Sequence, residues 1–142
     1  MRRWTVVMTT RAAGSIQFER RATGSVVHQR VAELITSEGP PSVTEPVIME
    51  VVAGARSDQR ELDLRRLLSR FTVLRFDAAW ISTPQRIYRR CRRAGFTPRG
   101  MVDCMIAAVP WWHGASWLAQ DMDLERLGQI VGIELDRASP TI

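Results

Sequence analysis

The chain contains no lysine: every one of its 20 basic residues is an arginine. Set against 15 acidic residues they give a net charge of +5, and the pI is near 10.8. The excess favours polyanionic partners, and arginine grips phosphate in a planar fork, although a lysine-free chain also follows from a GC-rich genome. Cysteine is scarce. Cys91 and Cys104 are too few for a disulfide framework, and with only His28 and His113 beside them no zinc-type spacing exists. Both thiols read as small core residues. No motif surrounds a Ser or Cys that would pair it with either histidine, which sets nucleophilic hydrolases aside. Long hydrophobic runs are missing too, so nothing spans a bilayer. The apolar stretch after Met1-Arg2-Arg3 breaks at Arg11 without a cleavage-site pattern, which points to a cytoplasmic protein without a leader. Nor is there a glycine-rich phosphate loop of either usual spacing, which weighs against a nucleotide-handling α/β protein.

What is present suits one small domain over residues 1–142, with 139–142 as a loose tail: the length is near the modal domain size and 45% of the residues are hydrophobic. The periodicity alternates between short strands and helices. Val6-Val7 reads as a weak strand, His28 to Ser37 as a helix stopped by Gly39-Pro40-Pro41, and Ser42-Val43-Thr44 as a strand leading into a helix from Pro46. Leu62, Leu64, Leu67, Leu68 and Phe71 mark a further helix. Phe71 to Phe76 reads as a strand, as do Ala115 to Ala119 and Ile133 to Leu135. Such alternation predicts an α/β fold with a short, mainly parallel sheet covered on both faces.

Three places put carboxylates on otherwise apolar elements. Asp103 falls in the first turn of the helix that follows Pro98 and Gly100, where unpaired backbone N–H groups and the helix dipole favour an anion; it is a helix cap or a metal ligand. Glu50 interrupts the run Val47-Ile48-Met49-Glu50-Val51-Val52-Ala53. It either faces inward, which demands a cation, or occupies the solvated stripe of an amphipathic helix. Asp121, with Asp123 close by, follows a short strand and would lie at its carboxyl end, where open α/β sheets bind ligands.

The pattern Gly95-x-Thr97-x-Arg99-x-x-x-Asp103-Cys104-x-Ile106-Ala107-Ala108 resembles the PIN-domain ribonucleases, and within them the VapC-type toxins of bacterial toxin–antitoxin pairs. Glu45 to Arg56, Ile87 to Gly95, His113-Gly114-Ala115 and Gln120 to Asp123 extend the likeness over roughly residues 20–136. The resemblance implies a PIN-like three-layer α/β/α fold and magnesium-dependent cleavage of RNA, with manganese as the substitute metal. It further implies a cognate antitoxin and a homodimer as partners. Glu50, Asp103 and Asp121 would be the catalytic metal ligands, Asp123 the alternative to Asp121, and Arg99 the basic residue near the RNA phosphate.

Residues 1–19 are atypical for that family. Its members open on a hydrophobic strand that ends in an aspartate followed by Thr or Ser; here Met8 stands in that place before Thr9-Thr10, and no acid occurs before Glu19. A thioether is a soft, weak ligand and magnesium takes hard oxygen, so Met8 does not replace the carboxylate. A degenerate toxin that binds antitoxin or RNA without efficient cleavage is therefore the alternative to an active ribonuclease. A second departure is Pro110, whose ring clashes with the Ile106 carbonyl in a helix and predicts a stop or bend near Val109, leaving Trp111 and Trp112 packed or exposed. Arg86, Arg89, Arg90 and Arg93 share one helix face at i, i+3, i+4 and i+7, as a solvated face or as a surface for RNA or antitoxin, with Arg89 and Arg93 as RNA contacts.

Overall fold

The computed structural model describes residues 4–7, 42–119 and 122–134. The helix expected over His28 to Ser37, together with Met8, Glu19, Asp121 and the tail at 139–142, lies outside the described residues.

Four short strands form the sheet: β1 (Trp4–Val7), β2 (Ser42–Thr44), β3 (Thr72–Leu74) and β4 (Ser116–Ala119). Their order is β3-β2-β1-β4 and every neighbouring pair is parallel. The chain thus steps outward from β1 through β2 to β3, then returns to the other side of β1 with β4. That reversal between β1 and β4 is a topological switch point, and ligands of open α/β sheets bind in the crevice beyond the carboxyl ends of the strands there. β3 is shorter than the stretch Phe71 to Phe76 suggested, since only its three central residues pair.

Among the described residues five helices accompany the sheet: α1 (Glu45–Ala53), α2 (Asp58–Leu68), α3 (Ser82–Arg93), α4 (Met101–His113) and α5 (Met122–Val131), with a 3-10 turn at Ala78–Trp80. Each start has a local cause. Thr44 Oγ1 accepts from the Val47 N–H at 3.4 Å with Pro46 in the first turn, and Ser57 Oγ accepts from the Arg60 N–H at 3.1 Å with Asp58 and Glu61 behind it. In α3 the residues Thr83, Pro84, Ile87 and Cys91 turn inward, so the arginines between them face water.

Pro110 does not stop its helix. α4 continues through it to His113, with Val109 and Pro110 both buried. An interior proline costs on the order of 3 kcal/mol through the lost backbone bond and the ring clash, and burial together with a firmly closed helix end offsets it. Gly114 adopts φ +60°, and the Ala115 N–H donates to the Pro110 carbonyl at 2.9 Å. The strand expected over Ile133 to Leu135 does not form at 133–134, where the Trp117 N–H donates to the Glu134 carbonyl at 2.9 Å.

α5 was not anticipated, although Leu124, Leu127, Gly128 and Val131 repeat at i, i+3, i+4 and i+7 and all four are buried. Its packing depends on Gly128. A Cβ there would stand 2.7 Å from Cε2 and Nε1 of Trp117, a ring with no exposed surface. Gly128→Ala is therefore expected to destabilise the domain by about 1–3 kcal/mol through overpacking. Urea unfolding checks it, and an unchanged midpoint would mean that the indole has room to move.

The core joins Val43, Val47, Cys91, Cys104, Ile106, Trp117, Leu124 and Leu127. Both cysteines are free and fully buried, as the sequence suggested. Burial pushes the Cys104 thiol up to about 12, with Cys91 and Asp103 adding to the effect. Burial raises Cys91 as well, against the pull of Arg90. A thiol-specific reagent at pH 8 is expected to find no reactive cysteine in the folded chain and both after unfolding in urea. Fast labelling of either in the native state would show that α3 and α4 separate readily. Among the described residues, no helix is long and apolar enough to cross a membrane.

Candidate metal and phosphodiester site

α4 packs against β1, β2 and β3 and leads through Gly114 into the parallel strand β4, so its first turn lies towards the carboxyl end of the sheet. Asp103 sits in that turn. The helix begins at Gly100, which supplies no side-chain cap, so its open N–H groups leave the carboxylate of Asp103 in a favourable field. Asp123 occupies the equivalent place in α5, directly beyond β4. Arg99 binds both: its Nε lies 3.5 Å from Asp103 Oδ2 and 3.5 Å from Asp123 Oδ2. Asp103 is the enclosed member, with 13% of its side chain exposed against 48% for Asp123. A guanidinium thus gathers two acids that are 20 residues apart in sequence.

Glu50 reaches the interior from α1. It is partly buried and its Oε2 is fully enclosed, which favours the inward-facing reading over the solvated stripe. Among the described residues, no three His, Cys, Asp or Glu side chains stand close enough together to hold a metal ion. Asp121, one of the proposed ligands, lies outside that set. Asp103 and Asp123 fit a hard cation in kind: both offer carboxylate oxygen, and both already converge on one positive charge.

Sequence reasoning did not single out Glu125. It is 3% exposed, its Oε2 has no hydrogen-bond partner, and burial raises its pKa. The signal was available in the helical spacing that buries Leu124 and Gly128 on either side of it. Equally unforeseen was the bridging role of Arg99. It precedes Asp103 by four residues, but it lies ahead of the helix, where the i,i+4 rule gives no expectation.

A parallel α/β sheet with acids collected at its switch point defines a class of protein, and comparison with known proteins narrows it. The family model described as "PIN domain" matches residues 21–130. The "VapC ribonuclease Mb1587" of Mycobacterium bovis is 35% identical over 116 residues, covering 80% of this chain and 87% of that protein. "Ribonuclease VapC11" of Mycobacterium tuberculosis gives the same figures. In structure, the chain matches a DNA-bound VapBC from Salmonella typhimurium with a TM-score of 0.69 at 20% identity, over 96% of this chain and 98% of that one. The chain belongs to the PIN-domain family, in its VapC branch. The family match begins at residue 21, beyond β1, so the atypical opening stays outside it.

Proposed function

We propose that this protein is the toxin of a type II toxin–antitoxin pair and a magnesium-dependent endoribonuclease, with manganese as a substitute metal. The convergence of Asp103 and Asp123 on Arg99 at the carboxyl end of the sheet carries the reading. The 35% identity to chains named VapC ribonucleases supports it. Asp103, Glu50 and Asp121, with Asp123 beside them, would hold the metal. When bound, magnesium supplies an acidified water and offsets charge that builds on the phosphorane-like transition state.

The chain's own groups do the rest. Asp103 sits in the first turn of α4, where open backbone N–H groups favour an anion, and Glu50 or Asp121 would keep the attacking water in line. Arg99 sits beside Asp103 and Asp123 with 37% of its side chain exposed, placed to meet a phosphate oxygen. A cognate antitoxin and a second copy of the chain are the expected protein partners, and the cytoplasm the expected compartment. The relatives of known structure that resemble it are described as VapBC complexes.

One observation favours a second reading, a PIN-fold protein of impaired activity. β1 ends at Val7, so the next residue, where the family places its first aspartate, is Met8. Purified protein freed of antitoxin and given single-stranded RNA separates the two. The first reading expects cleavage with magnesium or manganese and none in EDTA. Binding without cleavage under every metal condition supports the second, and cleavage that persists in EDTA overturns the metal-dependent mechanism.

A further inference from the structure

At the far end of α4 from Asp103 the surface changes character. Trp111 and Trp112 are each 46% exposed, a large apolar display for two adjacent residues. They are held rigidly. Trp112 stacks on Trp80 with ring centres 4.9 Å apart and planes 10° from parallel, and Trp111 meets Trp112 edge-on at 5.7 Å. Trp112 Nε1 donates to the Oγ1 of the buried Thr83 at 2.8 Å, which fixes the indole. Beside these rings lies a cavity of about 350 Å³, lined by Arg86, Ile87, Arg90, Trp111, Trp112 and Val131.

Arg86 and Arg90 are one helical turn apart on α3, both exposed, and neither forms an ion pair among the described residues. The arginine face of α3 therefore divides: Arg86 and Arg90 line the aromatic cavity, whereas Arg89 and Arg93 do not. Pre-set indoles flanked by unpaired guanidinium groups suit a ligand that carries both a π face and negative charge. An unpaired nucleotide is that ligand, its base on the rings and its phosphates on the arginines. An acidic peptide would satisfy the arginines and leave the orientation of the indoles without a purpose.

We propose that this face is a second nucleotide-binding site, which holds single-stranded RNA away from the carboxylates. Eight or nine residues of α4 separate Asp103 from the two tryptophans, roughly 12–14 Å along the axis. A strand entering at one end of α4 reaches the other within a few nucleotides. The identity of the polymer as RNA rests on the ribonuclease reading; the site itself does not depend on the metal centre.

The test measures binding of a fluorescent single-stranded RNA oligonucleotide to the full chain in EDTA, where metal-dependent cleavage is silent. Removing both charges in Arg86→Gln/Arg90→Gln is expected to flatten the slope of log affinity against log salt by about 1.4, at about 0.7 per phosphate. Trp111→Ala, at the exposed ring, is expected to weaken binding by about 5- to 150-fold, from roughly 1–3 kcal/mol per stacked base. Trp111→Phe should restore part of the loss. Trp112 is left in place because its removal would break the Thr83 bond, and the arginine pair carries the decision if Trp111→Ala fails to fold. Manganese binding, followed by its EPR signal, should be unchanged in every variant. An unaltered slope and affinity overturn the proposal. So does a result in which the variants lose a co-purified antitoxin and keep RNA, which would make the face a protein interface. If the wild type binds RNA here and never cleaves it, the site stands and the ribonuclease reading fails.

Discussion

Asp103→Asn is expected to abolish RNA cleavage, with a loss of at least 100-fold, while the unfolding midpoint stays close to that of the wild type. The size follows from its place. Altering a group that merely supports a metal ligand typically costs about 10- to 100-fold in affinity or activity, so loss of a direct carboxylate ligand costs at least that. The fold should survive because an asparagine near a helix start retains much of the capping ability of aspartate, and the core beneath, from Cys104 to Pro110, is untouched. Arg99 would lose the Asp103 carboxylate and keep that of Asp123. RNA cleavage assayed beside thermal melting checks both halves. Undiminished cleavage would remove Asp103 from the metal site, and loss of cleavage with a collapsed melt would make it only a structural cap.

The second large effect runs the other way. Met8→Asp is expected to raise magnesium affinity and RNA cleavage by at least about 10-fold, because it adds a hard oxygen ligand where the family places one. β1 ends at Val7, and Val7 pairs in register with Ala119, the last residue of β4. Position 8 therefore follows the carboxyl end of β1 just as Gln120 and Asp121 follow that of β4. Metal titration by calorimetry and initial cleavage rates measure the change. If the unmodified chain binds magnesium and cuts RNA as well as the variant does, another carboxylate has taken over, with Glu19 the nearest in sequence.

Local order was largely legible from residue pattern. The strand before Pro46, the start of α4 after Gly100 and the two buried cysteines follow from β-branched runs, turn residues and apolar spacing. Where reading failed, long-range contacts had overridden a local rule or a helical repeat had been passed over. Pro110 carries an intrinsic penalty that a glycine cap and a buried environment offset. The helix after β4 is encoded by the spacing of Leu124, Leu127 and Val131, which the acids at its start interrupt with no apolar signal of their own.

By itself the sequence determined the family. The residues from Gly95 to Ala108 carry a spacing whose chemistry needs an acid at a helix start, and that much is local. It also showed that no acid precedes Glu19, so residues 1–18 offer no carboxylate whatever surrounds them. Only the tertiary structure decided which acids meet. Asp103 and Asp123 share Arg99 because α4 and α5 both begin at the carboxyl end of one parallel sheet, a consequence of strand order that no local pattern encodes. The same holds for the indoles of Trp80 and Trp112 and the guanidiniums of Arg86 and Arg90. They come from three separate elements and become neighbours only when α3 and α4 pack side by side.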